Sequence, residues 1–167
     1  MSLASLPPYE EDPREFGAPD RTPPHDVQAE QSVLGAMLLS KDAIGDVAEV
    51  VRGRDFYLPK HEQIYEAVID LFGRGEPADA ITVADELAKR GELGKIGGHI
   101  YLHDLLSMVS IASNASYYAE IVKEKAILRR LVEASIKISQ MGYAGGGEVA
   151  SMGDQAQLAI YEVDEGK

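Results

Sequence analysis

An all-α fold is predicted for this sequence on three observations. Wherever apolar residues recur, they do so at three- and four-residue intervals. No segment alternates apolar and polar residues over the length of a strand. Capping residues stand at the ends of the periodic segments. The one strand-like run, "AITVA", is short, and its threonine suits a helix cap better than a strand pair.

Six of the eight prolines fall within the first 24 residues, beside Glu10, Glu11, Asp12 and Glu15. Such a segment buries too little apolar surface to order itself, so residues 1–24 read as a flexible tail. Order is expected from "PPHDVQAEQSVLGAML", with Asp26 capping a helix that starts at Val27. Ile44, Val47, Ala48 and Val51 form a second helical stripe. Ile64, Val68, Leu71 and Phe72 form a third, with Pro59 in its first turn and Gly73 past its end. In "TVADELAKRG" the expected capping box pairs Thr82 with Asp85, and Gly91 stops the helix. These elements make a globular head over residues 25–113.

From Asn114 the pattern becomes one helix of nearly thirty residues, roughly 40 Å long at the usual helical rise. Ile121, Leu128, Val132 and Ile136 are its expected inner seam. The run "AGGGE" breaks it, and Val149, Met152, Ala156, Ile160 and Val163 give a returning helix a near-heptad seam. Residues 114–163 therefore read as an antiparallel hairpin. Its first arm carries five basic and three acidic residues between Tyr117 and Tyr143, whereas residues 144–167 carry five acids and one lysine, so opposite charge favours pairing of the arms. Tyr117, Tyr118, Val122, Leu131 and Ile138 do not all fit one intra-hairpin seam. The head or another chain must cover the surplus, and association is the expectation.

The 45% apolar content supports a core, and the absence of cysteine excludes disulfides and thiolate metal sites, in keeping with the cytoplasm. Neither a basic-then-apolar leader nor an eighteen-residue apolar run is present, so no membrane partner is expected. A net charge of -12 repels nucleic acid and favours a protein partner.

"GELGKIGGHIYLHDL" raises two sharper readings. A phosphate loop requires an earlier glycine where Lys89 stands, a hydroxyl where Ile96 stands, and a preceding strand. His99 and His103 share the spacing of a zinc-binding helix, but no glutamate follows the first histidine and no third ligand is marked. Asp55, Asp104 and the glutamates are scattered, with no acid–base pair singled out. "KEKAILRR" is the only basic cluster, interrupted by Glu124, and reads as a solvated face. No catalytic, cofactor-binding or metal-ligating residue is assigned.

"PPHDVQAEQSVLGAMLL", "DFYLPKHEQIYEAV", "GEPADAITVADEL", "GELGKIGGHIYLHDL" and "NASYYAEIVKEKAILRRL" follow one another from Pro23 to Leu131, within a likeness that extends from about Pro23 to Val163. Together they resemble the N-terminal domain of bacterial replicative DNA helicases of the DnaB type. The resemblance implies a collar domain of a hexameric ring, pairing between subunits as a trimer of dimers and docking primase. It places the ATP- and magnesium-dependent motor, and with it the contact with DNA, in a RecA-like domain beyond this chain. Residues 164–167 would start the linker to that domain. It further implies subunit contacts through Tyr118, Leu128, Leu131 and Val132, and primase contacts through Tyr101, Val132 and Ile138. Two rivals stand beside it: the helicase-binding domain of primase, which has a similar head and hairpin, and a small helical metal-binding protein.

Overall fold

The computed structural model describes residues 21–109 and 111–165, in which every regular element is helical. Of the expected tail over residues 1–24, residues 1–20 lie outside the described residues, as do residues 166 and 167 of the expected linker. Asp164 and Glu165, expected to open that linker, instead end the last helix.

Helix α1, Val27–Leu39, is capped by Asp26, whose carboxylate accepts the Ala29 N–H at 2.9 Å. Val33, Leu34, Ala36 and Met37 are all fully enclosed, so α1 is a central helix buried on every side rather than an amphipathic surface helix. Around it stand α2, Lys41–Ala48; α3, Pro59–Gly73; α4, Ala80–Lys89; the single turn α5, Leu93–Ile96; and α6, Gly98–Ser107. Gly35 makes the close crossing of α1 and α6 possible. A side-chain methyl there would overlap the Leu105 carbonyl oxygen and the Val109 side chain.

Two helix ends differ from expectation. Gly73 lies inside α3, which continues to an Arg74 cap, and Gly75, at φ +74°, makes the left-handed turn. α4 begins earlier than its threonine suggested. Asp79 is the N-cap, accepting the N–H groups of Ile81 (3.0 Å) and Thr82 (2.9 Å), while the Thr82 hydroxyl accepts the Asp79 N–H at 2.9 Å. The box is therefore Asp79 with Thr82, because a carboxylate satisfies two orphan amides where a hydroxyl satisfies one. Asp85 instead pairs with Lys89 at 3.0 Å along the helix face.

Helix α7, Ala115–Ala144, has 30 residues and so extends about 45 Å. Its first half belongs to the head: Ala115, Ala119 and Val122, spaced four and three apart, pack in the head core, and Ala126, four residues on, is also buried. The sequence boundary at Asn114 therefore does not divide two cores. Gly145, at φ +61°, ends α7 and donates to the Met141 carbonyl at 3.2 Å. Helix α8, Val149–Glu165, returns along its second half.

The inter-arm seam is built from Ala134, Ala159 and Val163, with Ile127 and Ile138 packed beside them. This corrects the expected α7 seam and part of the α8 one. Ile121, Leu128, Val132 and Ile136 point outward at 37–45% exposure, and Val149 and Ile160 are more exposed still, whereas Val163 is buried as expected and Met152 and Ala156 are half-buried. Small residues take the inner positions because they let the helices approach closely, and the larger aliphatics are left outside.

Candidate interaction surface

Three features are positioned by this architecture: an ionic junction between head and hairpin, a buried polar chain inside the head, and an apolar strip along α7.

The junction centres on Asp55, at the end of the 3-10 turn Gly53–Asp55, and its side chain is fully buried. One carboxylate oxygen takes Arg130 Nη1 at 2.8 Å; the other takes Lys123 Nζ at 3.3 Å and the Arg52 N–H at 2.7 Å. Arg129 donates to the Asp55 carbonyl at 2.6 Å and to the Pro24 carbonyl at 2.9 Å, with its guanidinium 5.5 Å from the Tyr57 ring, on which His25 stacks. Burial pushes the Asp55 carboxyl upward, but the Arg52 amide, Arg130 and Lys123 outweigh it and hold the group below its ordinary range. Three cations of "KEKAILRR" are therefore engaged with the head, and the cluster is not the solvated face expected for it. The sequence marked the bases but not their partner: a lone aspartate in a turn carries no periodic signal.

In the head, Glu30 is 1% exposed and His61 is fully enclosed. Glu30 accepts the Tyr57 N–H at 2.7 Å and the Leu58 N–H at 3.4 Å, tying α1 to the start of α3. His61 Nδ1 lies 2.8 Å from Glu30 Oε1 and its Nε2 lies 2.5 Å from the Tyr101 hydroxyl. His61 therefore bridges the Glu30 carboxylate and the Tyr101 hydroxyl through its two ring nitrogens. Lys60 sits 3.9 Å above the Tyr101 ring. Tyr101 is thus half-buried and anchored through its hydroxyl, with part of its ring reaching the surface.

Along α7, Tyr117, Ile121, Leu128, Leu131, Val132 and Ile136 are exposed between 37% and 71%. Spacings of four, seven, four and four set Tyr117, Ile121, Leu128, Val132 and Ile136 on one side of the helix, with Leu131 flanking them. Of the positions implicated by the resemblance, Leu128, Leu131 and Val132 lie in this strip, whereas Tyr118 packs against the head core and Ile138 against the hairpin seam. Tyr101 is on the head, away from the strip in sequence and fixed by His61. All four residues expected in the inner seam of α7, Ile121, Leu128, Val132 and Ile136, lie in this strip instead. The alanines at 115, 119 and 126 were the available sign that the opposite face packs inward.

Neither sharper reading of the glycine-rich stretch fits. Gly91, Gly97 and Gly98 have φ of +71°, +110° and +75° and serve helix-to-helix turns, Ile96 is buried where a phosphate loop needs a hydroxyl, and helix α4 precedes the loop. His99 and His103 are exposed, and among the described residues no cluster of metal-ligating side chains occurs. No helix of the described residues is long and apolar enough to cross a membrane.

A helical head with a projecting hairpin and an apolar outer strip has the form of a protein-association module. The DnaB-like helicase N-terminal domain model matches residues 22–124, and the chain belongs to that family. The replicative DNA helicase DnaB of Leifsonia xyli subsp. xyli is 61% identical over 155 residues, covering 91% of this chain and 34% of the relative. The chain thus spans about a third of the length of that curated relative. The crystal structure of the N-terminal domain of DnaB helicase from Mycobacterium tuberculosis is 61% identical with a TM-score of 0.82, over 84% of this chain and 99% of that one. A DnaB-like replicative helicase described with its interactions with primase shares the fold, at 24% identity and a TM-score of 0.69 over 84% of this chain and 32% of that one. The family match sets aside the rival reading as primase's helicase-binding domain.

Proposed function

We infer that this chain is the N-terminal collar domain of a replicative DNA helicase, acting through protein contacts rather than chemistry. It pairs with a second copy through the outer face of α7, in rings as a trimer of dimers, and it docks primase at the hairpin and adjoining head. ATP, magnesium and DNA are handled by a motor domain outside these residues, in the cytoplasm. The observation that carries this reading is the strip from Tyr117 to Ile136. Six large apolar side chains on one exposed helix face are what an isologous two-fold contact uses, since the same strip can meet itself. Val132 lies within it, and Tyr101 and Ile138 border solvent on the head and hairpin, so primase contacts at these three residues are part of the proposal. Domain limits of 25–113 for the head and 114–163 for the hairpin are kept as functional units even though α7 enters both.

The test is analytical ultracentrifugation of the wild type and of the double variant Leu131→Asp, Val132→Asp, followed by calorimetric titration with primase's C-terminal domain. A dimer that becomes a folded monomer in the variant, and primase binding that weakens in Tyr101→Ala or Ile138→Ala, are the expected results. A wild type that stays monomeric at every concentration would overturn the self-association. Folded Tyr101→Ala and Ile138→Ala variants that bind primase as the wild type does would overturn the placement of its site. The same preparation should neither turn over ATP nor hold single-stranded DNA at moderate salt, because its net charge is -12 and three of its clustered bases already face Asp55 and its carbonyl.

A further inference from the structure

Arg130 makes two bonds in opposite directions. Its Nη1 reaches Asp55 in the head at 2.8 Å, and its Nε donates to the Val163 carbonyl, in the last turn of α8, at 3.2 Å. Carbonyls in a final helical turn lack an intrahelical partner, and a cation there also meets the negative end of the helix dipole. One side chain of α7 therefore caps the end of α8 and pairs with the head.

Otherwise α8 is held by its seam on α7, where Ala159 and Val163 meet Ala134 beside Ile127 and Ile138, and among the described residues no ion pair joins the two arms. Beside Arg130 the arms leave a cavity of about 180 Å³, bordered by Ala134, Lys137, Ala159 and Glu162. The third guanidinium nitrogen, Nη2, is buried beside this cavity and has no hydrogen-bond partner among the described residues.

We propose that α8 docks and undocks as a unit and that Asp55–Arg130–Val163 is the latch coupling its position to the head. In the docked state the head fixes Arg130, and Arg130 fixes the last turn of α8. In the undocked state Val163 loses its cap and Ala134, Ile127 and Ile138 on α7 become accessible. The coupling runs both ways, so a ligand that holds either end biases the other. It does not depend on which partner the outer strip binds.

Amide hydrogen exchange followed by mass spectrometry on the whole chain tests this, comparing wild type with Arg130→Lys and Asp55→Asn. Lysine keeps the charge but lacks the fork that reaches both acceptors. Exchange over residues 149–164 should accelerate by roughly tenfold or more in Arg130→Lys, the scale of one lost charge-assisted hydrogen bond, while peptides of α1 and α3 stay protected. Asp55→Asn, made in the head, should accelerate the same residues. Should that variant loosen the head itself, Arg130→Lys decides alone. Unchanged exchange of α8 in Arg130→Lys would overturn the latch, and so would acceleration spread evenly over head and hairpin, since α8 would then have no separate transition.

Discussion

Glu30 and His61, on α1 and α3, meet at 2.8 Å with side chains only 2% and 0% exposed. This contact, with the Tyr57 and Leu58 amides on the same carboxylate, makes Glu30 a polar pin between α1 and the start of α3. Removing it strands two backbone donors and a ring nitrogen in the interior. Glu30→Ala should therefore destabilise the chain, by about 1–3 kcal/mol for each buried donor left unsatisfied. Glu30→Gln should cost less, because its amide oxygen still accepts one bond. Urea denaturation of both variants checks the order; equal costs would mean that packing, and not hydrogen bonding, sets the loss.

Asp55 should give the stability curve its acid limb. Its folded-state pKa is lowered from 3.8, so its contribution is fully present above that value and fades as pH falls through the lower folded value. Asp55→Asn should be clearly less stable than wild type at neutral pH, and the gap should close toward the acid end. Denaturation midpoints at a series of pH values would reveal it; a gap that stays constant into acid would show that the ionised form is not what Arg130 and Lys123 hold.

Two helical glycines should respond to alanine in opposite senses. At Gly35 the added methyl meets the Leu105 backbone carbonyl, which cannot yield without moving α6, so Gly35→Ala should cost about 1–3 kcal/mol. At Gly45 in α2 nothing lies within 4 Å, and Gly45→Ala should stabilise by about 0.5–1 kcal/mol through helix propensity. Thermal melts of the pair at one concentration are sufficient.

These positions show what the sequence makes legible. The long helix from Asn114, the Asp26 cap, the Pro59 turn, the Gly91 stop and the break after Ala144 follow from local chemistry, and each governs its own segment regardless of what surrounds it, whereas the single turn α5 carries no periodic signal. The inner faces of α7 and α8 depend on what packs there. Hydrophobicity alone favoured Ile121, Leu128 and Ile136 over the alanines, and the close approach of the helices reversed that choice. Asp55 and Glu30 were invisible for a related reason: their partners lie 75 and 31 residues away.

The two faces of α7 supply the remaining prediction. Ala119 is fully buried against the head and Ile121, two residues on, is 37% exposed. Enlarging the first should force α7 from the head: Ala119→Ile is expected to cost about 1–3 kcal/mol in folding. Truncating the strip should do the reverse. Ile121→Ser and Leu128→Ser together remove apolar surface that the single chain already exposes, so far-ultraviolet dichroism should be unaltered and the melt of a dilute sample nearly so. At high concentration the wild type should melt later than when dilute, because association stabilises only the folded form, and the double serine variant should lose that dependence. If Ala119→Ile is tolerated while the serine variant unfolds, the inward and outward faces of α7 have been exchanged, and the proposed self-association through Leu128, Leu131 and Val132 fails with them.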